Sequence, residues 1–413
     1  MLNILDIRNS FPSFVRQTPL EINEKLSQKY GCTIYLKRED LQTVRSYKIR
    51  GAYCKISQLS MEEKSRGVVC ASAGNHAQGV ALCCKELQIK GVIYMPETTP
   101  KQKINMVKGF GEDWIEVVLK GDTFDEANKE GKEFALRNER VFIPPFDDEF
   151  VIAGQGTVAH EIWKQSDTEM DVIVTPVGGG GLAAGIISYL REVGSKTKVL
   201  GIEPHGAASM TEALKQGAPV ALNHIDKFVD GASVKRVGDL NFDICKKGLE
   251  EMVLVEEGKI CSTILEVYNS FGIVLEPAGA LTIASLDQLA EKGLIQGKKV
   301  VLIVSGGNND ITRTEEIRER SMFYEGLKHY FLIRFPQRPG ALREFVTEVV
   351  GPEDDIVYFQ FSNKTNRENG PAVVGVELKK REDVESIKKN LHQKSFQFEY
   401  LVPNSLLFQQ LIG

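Results

Sequence analysis

Short apolar runs rich in β-branched residues alternate with longer amphipathic stretches along most of the chain. Val172-Ile173-Val174 stops at Thr175-Pro176, and residues 33–36, 67–71, 92–96, 115–119, 141–146, 199–202, 253–255 and 299–304 repeat the theme. Runs of this length bounded by turn formers predict buried strands, and the 3.6-residue periodicity between them predicts helices. Helices are predicted from near Lys48 to Leu59, from Val80, over residues 101–109 and 123–137, and from Gly154 through Trp163. Alternation sustained over about three hundred residues predicts an α/β architecture of stacked parallel βαβ units.

Near residue 325 the rhythm changes. Strands are predicted over residues 329–335, 355–362, 372–378 and 396–402, with helices over 341–350 and 381–393. The order βαββαβ is that of a ferredoxin-like module, a small unit that binds a ligand or pairs with its own kind. The charged stretch from Glu315 to Tyr330 marks the boundary, which predicts domains over residues 1–325 and 326–413. No internal repeat of the module and no low-complexity segment is present.

Chemistry concentrates where strands give way to loops. Gly178, Gly179, Gly180 and Gly181 follow the run at 172–174 and lead into Leu182-Ala183-Ala184. Four residues without a Cβ let successive N–H groups converge on one point at a helix N-terminus, where the macrodipole favours an anion. A tight turn after a buried strand is the plain alternative. The nineteen uncharged residues between Asp171 and Arg191 are long enough to cross a bilayer, but Pro176 and the glycines exclude a lipid-exposed helix. A dinucleotide fold is a closer rival, because Gly178-x-Gly180-x-x-Ala183 fits its fingerprint and Glu203 closes the next strand.

The remaining candidates are weaker one by one. Lys48, at the start of its helix, reads locally as a solvated surface charge. Ser72-Ala73-Gly74-Asn75-His76 turns from a strand into a helix; Ser72 is its predicted N-cap, and the amides behind it suit a carboxylate. His76 lacks a carboxylate at orienting distance and reads as structural. Ser305 stands at the carboxyl end of the run at 299–304, the side of a parallel sheet where ligands gather.

Composition narrows the partners. Lys+Arg 51 against Asp+Glu 56 gives a net charge of −5 with no basic run, so neither nucleic acid nor an anionic membrane is an expected partner. The seven cysteines are scattered, without a CxxC or a Cys/His metal spacing; this suits a reducing cytoplasm and offers no metal site. The N-terminal segment carries Asp6 and lacks the features of a signal peptide.

Taken together, Ser46-Tyr47-Lys48-Ile49-Arg50-Gly51-Ala52, Ser72-Ala73-Gly74-Asn75-His76, residues 178–182, Glu276-Pro277-Ala278-Gly279-Ala280 and Ser305-Gly306-Gly307-Asn308 resemble the pyridoxal-phosphate serine/threonine dehydratases of the tryptophan-synthase-β fold type. The resemblance runs over residues 15–320 in the family's order. The tail resembles the ACT-like regulatory module of biosynthetic threonine dehydratases. A dinucleotide fold accounts for neither the lysine nor the asparagine motif.

The resemblance implies two open parallel-sheet subdomains of PLP fold type II, followed by one ACT-like domain. It implies pyridoxal 5′-phosphate joined to Lys48 through an imine, its phosphate held by the amides of Gly178, Gly179, Gly180, Gly181 and Leu182. Asn75 would hold the ring's 3′ oxygen, Ser305 the pyridine nitrogen, and Ser72, Ala73, Gly74, Asn75 and His76 the substrate carboxylate. Lys48 and Ser305 are the catalytic candidates. Tyr47 departs from the family, which usually carries phenylalanine there. The implied reaction is deamination of L-threonine to 2-oxobutanoate and ammonia, with L-serine a poorer substrate. Isoleucine, with valine as a second candidate, would act on the tail of a homodimer or homotetramer. Catabolic dehydratases, serine racemases and threonine synthases share the core motifs, and a non-catalytic amino-acid sensor is the alternative outside enzymes.

Overall fold

The computed structural model describes residues 4–361, 368–403 and 405–412. The chain divides into two compact units, one up to Asp310 and one from Ile311. In chain order the strands of the first unit are β1 Leu20–Ile22, β2 Thr33–Arg38, β3 Val68–Ala71, β4 Gly91–Met95, β5 Ile115–Leu119, β6 Val141–Phe142, β7 Val172–Pro176, β8 Lys198–Pro204, β9 Leu249–Val255 and β10 Lys299–Val304.

They form two sheets, a six-stranded one in the order β1-β2-β10-β7-β8-β9 and a four-stranded one in the order β5-β4-β3-β6. All neighbours run parallel except the edge pair β1 and β2. The parallel βαβ units predicted from the pattern are present, and the antiparallel β1 is an addition too short to register as a run. Strands β3, β4 and β7 are buried at every position, as expected where helices cover both faces of a parallel sheet.

Several predicted boundaries are corrected, among them that of the helix assigned from Val80, which begins at Asn75. The helix assigned from Gly154 begins five residues earlier and runs Glu149–Gln165, because the Asp148 side chain accepts from the N–H groups of Phe150 and Val151. Its glycines lie inside it: a Cβ on Gly156 would stand 2.7 Å from the Gly185 carbonyl of the helix Gly181–Glu192. The strand assigned to residues 141–146 stops at Phe142, since Pro144 and Pro145 have no N–H to give a ladder.

The second unit holds β11 Lys328–Pro336, β12 Asp355–Phe361, β13 Asn369–Glu377 and β14 Gln397–Leu401, antiparallel in the order β12-β13-β11-β14. Helices Ala341–Glu348 and Asp383–Gln393 complete the βαββαβ order; Ser362, the expected last residue of the second strand, lies outside the described residues. Helix Thr314–Glu325 belongs with this unit, where Phe323 packs edge-on against Phe408, 5.6 Å between ring centroids. Helix Leu406–Leu411, absent from the sequence reading, supplies that Phe408. No described helix is long and apolar enough to cross a membrane.

Candidate active site

The loops that leave the carboxyl ends of β2, β3, β7 and β10 carry the candidate residues. Strands β2 and β10 are parallel neighbours, so the loops that follow them run into contact. Ser46 and Gly306 form an isolated antiparallel bridge, the Tyr47 N–H donates to the Ser305 carbonyl at 3.2 Å, and the Gly307 N–H donates to the Arg45 carbonyl at 2.9 Å. Pairing of two strands whose partners are 266 residues apart thus brings Lys48 and Ser305, separate in the sequence, to one place.

Lys48 is the first residue of helix Lys48–Ser57. Its Nζ donates to the Pro145 carbonyl at 2.9 Å and lies 5.4 Å from the Tyr47 ring centroid and 6.0 Å from that of Phe146. The side chain retains a little solvent access but is surrounded by protein, and desolvation holds its amine down to about 8. An amine so placed is neutral more often than an ordinary lysine and is the better nucleophile and base.

The glycine run also borders Phe146. That ring fills the space where a Gly179 side chain would stand, and Gly181 has Phe146 Cβ 3.0 Å from its own Cβ position. Gly180 adopts φ +91°, the left-handed region, as the N-cap residue of helix Gly181–Glu192. The N–H groups of Gly178, Gly179, Gly180, Gly181 and Leu182 have no acceptor among the described residues. Several converging orphan donors at a helix N-terminus suit a phosphate, so these residues fit pyridoxal phosphate at one end as the Lys48 amine fits it at the other. Asn241 pins the loop from behind, its Nδ2 donating to the Gly179 carbonyl at 2.7 Å.

The turn after β3 departs from expectation at one point. Gly74, not Ser72, is the N-cap residue of helix Asn75–Leu87, and Ser72 Oγ accepts instead from the Gly74 N–H at 3.2 Å. A Cβ on Gly74 would meet nothing within 4 Å, so the turn borders open space, and the Ala73, Asn75 and His76 N–H groups have no acceptor among the described residues. His76 is buried with Nε2 2.9 Å from the Ile143 carbonyl. Burial and the Lys48 charge drive its imidazole down to about 3, so it is neutral and Nε2–H donates to that carbonyl.

Three residues that the motifs contain, without a role assigned to them from the sequence, prove to build the site. Glu276 accepts from Asn75 Nδ2 with both oxygens, at 2.7 and 3.0 Å; an acidic residue in an apolar stretch directly before Pro277 was the available signal. Asn308 Nδ2 reaches Asn75 Oδ1, the Val44 carbonyl and Gln78 Oε1 at 2.8, 2.8 and 3.0 Å. Arg50 is buried with Glu39 and Glu161, and a charge on the inward face of an amphipathic helix was its only trace. Glu203, the dinucleotide rival's acid, accepts from the N–H groups of Met210 and Thr211 and from Thr211 Oγ1 at 2.6, 2.9 and 2.7 Å. It serves helix Ser209–Gln216.

Comparison with known proteins bears on the family and the fold. The family model described as pyridoxal-phosphate dependent enzyme matches residues 12–306, and that of the C-terminal regulatory domain of threonine dehydratase matches residues 319–411. The chain is 52% identical over 410 residues to the L-threonine dehydratase biosynthetic IlvA of Halalkalibacterium halodurans, covering 99% of this chain and 98% of that one. Its counterpart in Bacillus subtilis is 51% identical over 99% and 97%. Among solved structures, the processed form of threonine deaminase isoform 2 from Solanum lycopersicum superposes with a TM-score of 0.73 at 43% identity, covering 77% of this chain and 92% of that one. Serine racemase from Dictyostelium discoideum gives 0.68 at 32%, covering 75% and 98%. The chain therefore belongs to the family of pyridoxal-phosphate-dependent enzymes and carries, after its catalytic unit, the C-terminal regulatory domain of threonine dehydratase.

Proposed function

We propose that this chain is an L-threonine ammonia-lyase that converts L-threonine to 2-oxobutanoate and ammonia by β-elimination, with L-serine as the poorer substrate. The observation that carries the reading is a desolvated lysine amine and a run of main-chain N–H groups without an acceptor among the described residues, both beside Phe146. Full-length similarity to biosynthetic threonine dehydratases supports the choice of threonine.

Bound pyridoxal phosphate supplies the electron sink that acidifies the substrate's Cα–H. The amides of residues 178–182 would hold its phosphate, and Asn75 and Ser305 would orient its ring. A serine at the ring nitrogen, unlike an aspartate, would leave that nitrogen neutral and so favour elimination over transamination. The amides of Ala73, Asn75 and His76, in the turn that Ser72 and Gly74 shape, receive the substrate carboxylate. With the cofactor bound, the substrate amine would replace Lys48, and the freed Nζ, which desolvation makes readier to lose its own proton, would be placed to take the Cα proton. The β-hydroxyl would leave with a proton as one water, and the freed enamine would take up one water to give 2-oxobutanoate and ammonia, so that the two waters cancel.

The second unit binds isoleucine, with valine as the competing candidate, and shifts the catalytic unit between states through differential affinity. With one regulatory module per chain, a homodimer or homotetramer brings modules together, and the reaction belongs to isoleucine biosynthesis in the cytoplasm. The deciding experiment follows threonine and serine turnover on cofactor-loaded protein with and without isoleucine. The expected result is oxo-acid formation that is faster with threonine and responds to isoleucine. Absence of turnover with both substrates would overturn the proposal.

A further inference from the structure

Glu276 is the N-cap residue of helix Pro277–Ala284, yet its side chain makes no bond to that helix. The carboxylate is nearly inaccessible, at 5% exposure, and turns instead to Asn75, whose Nδ2 spans both of its oxygens. Burying an acid at this depth is costly unless its bonding partners are good, so its direction has a structural cause outside its own helix.

Asn75 is fixed at its other end as well. Asn308 Nδ2 donates to Asn75 Oδ1 at 2.8 Å. Turning the Asn75 amide over would set oxygen against carboxylate and nitrogen against nitrogen, so Glu276 and Asn308 together permit one orientation. One Nδ2 hydrogen then lies on the carboxylate, and the direction of the other is decided by it.

We infer that Glu276 is a positioning residue: through Asn75 it aims the free N–H at the ring oxygen of the cofactor, and its charge biases how firmly that oxygen and Lys48 hold a proton. The inference rests on the proposed role of Asn75. The charged and titratable groups that act on or feel the carboxyl are Asp230 from the loop before helix Asp239–Gly248, Lys103 from helix Lys101–Gly111, and Tyr47 and Lys48. Burial pushes Glu276 up to about 7 while the Asn75 bond favours its ionised form, so its charge is adjustable under ordinary conditions.

The test uses the full-length, cofactor-loaded protein and reads the visible absorption of the bound cofactor against pH, alongside cofactor dissociation and threonine kinetics. In wild type, the absorption is expected to change with a midpoint near neutrality; a flat response between about pH 6 and 8 overturns the inference. In Glu276→Gln, that change is expected to vanish, cofactor dissociation to rise and kcat to fall by roughly tenfold to a hundredfold, the range for lost partners of ligating groups, with KM for threonine little altered. Glu276→Asp, which retains the charge one methylene short, is expected to keep the pH response and bind cofactor at intermediate strength. A folded variant with wild-type spectrum and affinity overturns the role of Glu276 while leaving threonine deamination intact. Failure of wild type to bind cofactor or deaminate threonine would instead remove the underlying reading.

Discussion

Arg50 and Glu161 meet through two parallel bonds, Nη1 to Oε1 and Nη2 to Oε2, each 2.8 Å long, two residues beyond Lys48. Glu39 closes the same guanidinium from the other side at 2.8 and 2.8 Å, and Lys37 Nζ reaches Glu161 Oε2 at 2.8 Å. These four side chains are buried. They join β2, the turn after it, the Lys48 helix and helix Glu149–Gln165, so the helix that presents the amine is tied to the larger sheet by charge as well as by apolar packing. Removing Arg50 takes from both buried carboxylates the cation they share, leaving Glu161 with Lys37 and Arg8 and Glu39 with the Thr18 hydroxyl. Arg50→Met is expected to cost about 3–5 kcal/mol, read as a lower urea midpoint at unchanged slope. A change below about 1 kcal/mol, the range of exposed pairs, would contradict this account.

Capture of pyridoxal phosphate by the cofactor-free protein needs the neutral Lys48 amine, which desolvation holds down to about 8. The rate of imine formation, followed by absorption, is expected to rise through about pH 8 and level off well below the range of an ordinary lysine. Lys48→Ala is expected to lose imine formation altogether and at least about a hundredfold in turnover. Undiminished turnover in that variant, or a capture rate still climbing at ordinary lysine values, would count against Lys48.

The same shift has a stability consequence of definite sign. The folded-state value of Lys48 lies below its unfolded value, so between the two the unfolded chain holds more protons and stability rises with pH. The penalty is present in full below the folded value. In cofactor-free protein, Lys48→Met is expected to be the more stable form at neutral pH, by on the order of 2 kcal/mol, with the gap closing as pH approaches the unfolded value. Paired urea curves at neutral and alkaline pH provide the check.

Gly179 and Gly180 are intolerant for different reasons. At Gly179 a methyl group would collide with the Phe146 ring, and at Gly180 it would sit on a backbone at φ +91°. Gly180→Ala is expected to lose roughly 1–3 kcal/mol from strain. Gly179→Ala is expected to displace Phe146 and weaken cofactor binding, and truncating the ring in Gly179→Ala/Phe146→Ala should restore part of it. Equilibrium dialysis of cofactor against the three variants separates the two effects.

Glu203 offers a contrast with the groups near Lys48. Burial pushes it up to about 7 despite three donors, so between its unfolded value and about 7 the folded chain holds the extra proton and stability falls as pH rises. Glu203→Gln is expected to flatten this component of the pH–stability curve and to leave kcat for threonine unchanged. A large loss of kcat would show that Glu203 has a part in the chemistry.

The alternation of elements was legible because parallel strands buried on both faces must be continuous apolar runs, and because a ferredoxin-like module has a distinctive strand and helix order. The glycine run was legible because four residues without side chains have few other uses after a buried strand. Lys48, Asn75 and Ser305 were legible only as a set: each is ordinary beside its neighbours, and it was their motifs, taken in order, that drew them together.

By periodicity and local composition the amino-acid order therefore determined the parallel βαβ core and the βαββαβ tail, while the division into two sheets, the regulatory character of the tail and the set of residues available for chemistry came through the resemblance of its motifs. Tertiary structure alone decided that Asp148 rather than Gly154 opens its helix region, that Ser72 bonds Gly74 instead of capping, and that Glu276 turns away from its own helix to Asn75. It also buried Arg50 among carboxylates. Each of these depends on which partner is nearest in space, and the distance between residues 75 and 276, or 48 and 305, is set by sheet pairing and not by separation along the chain.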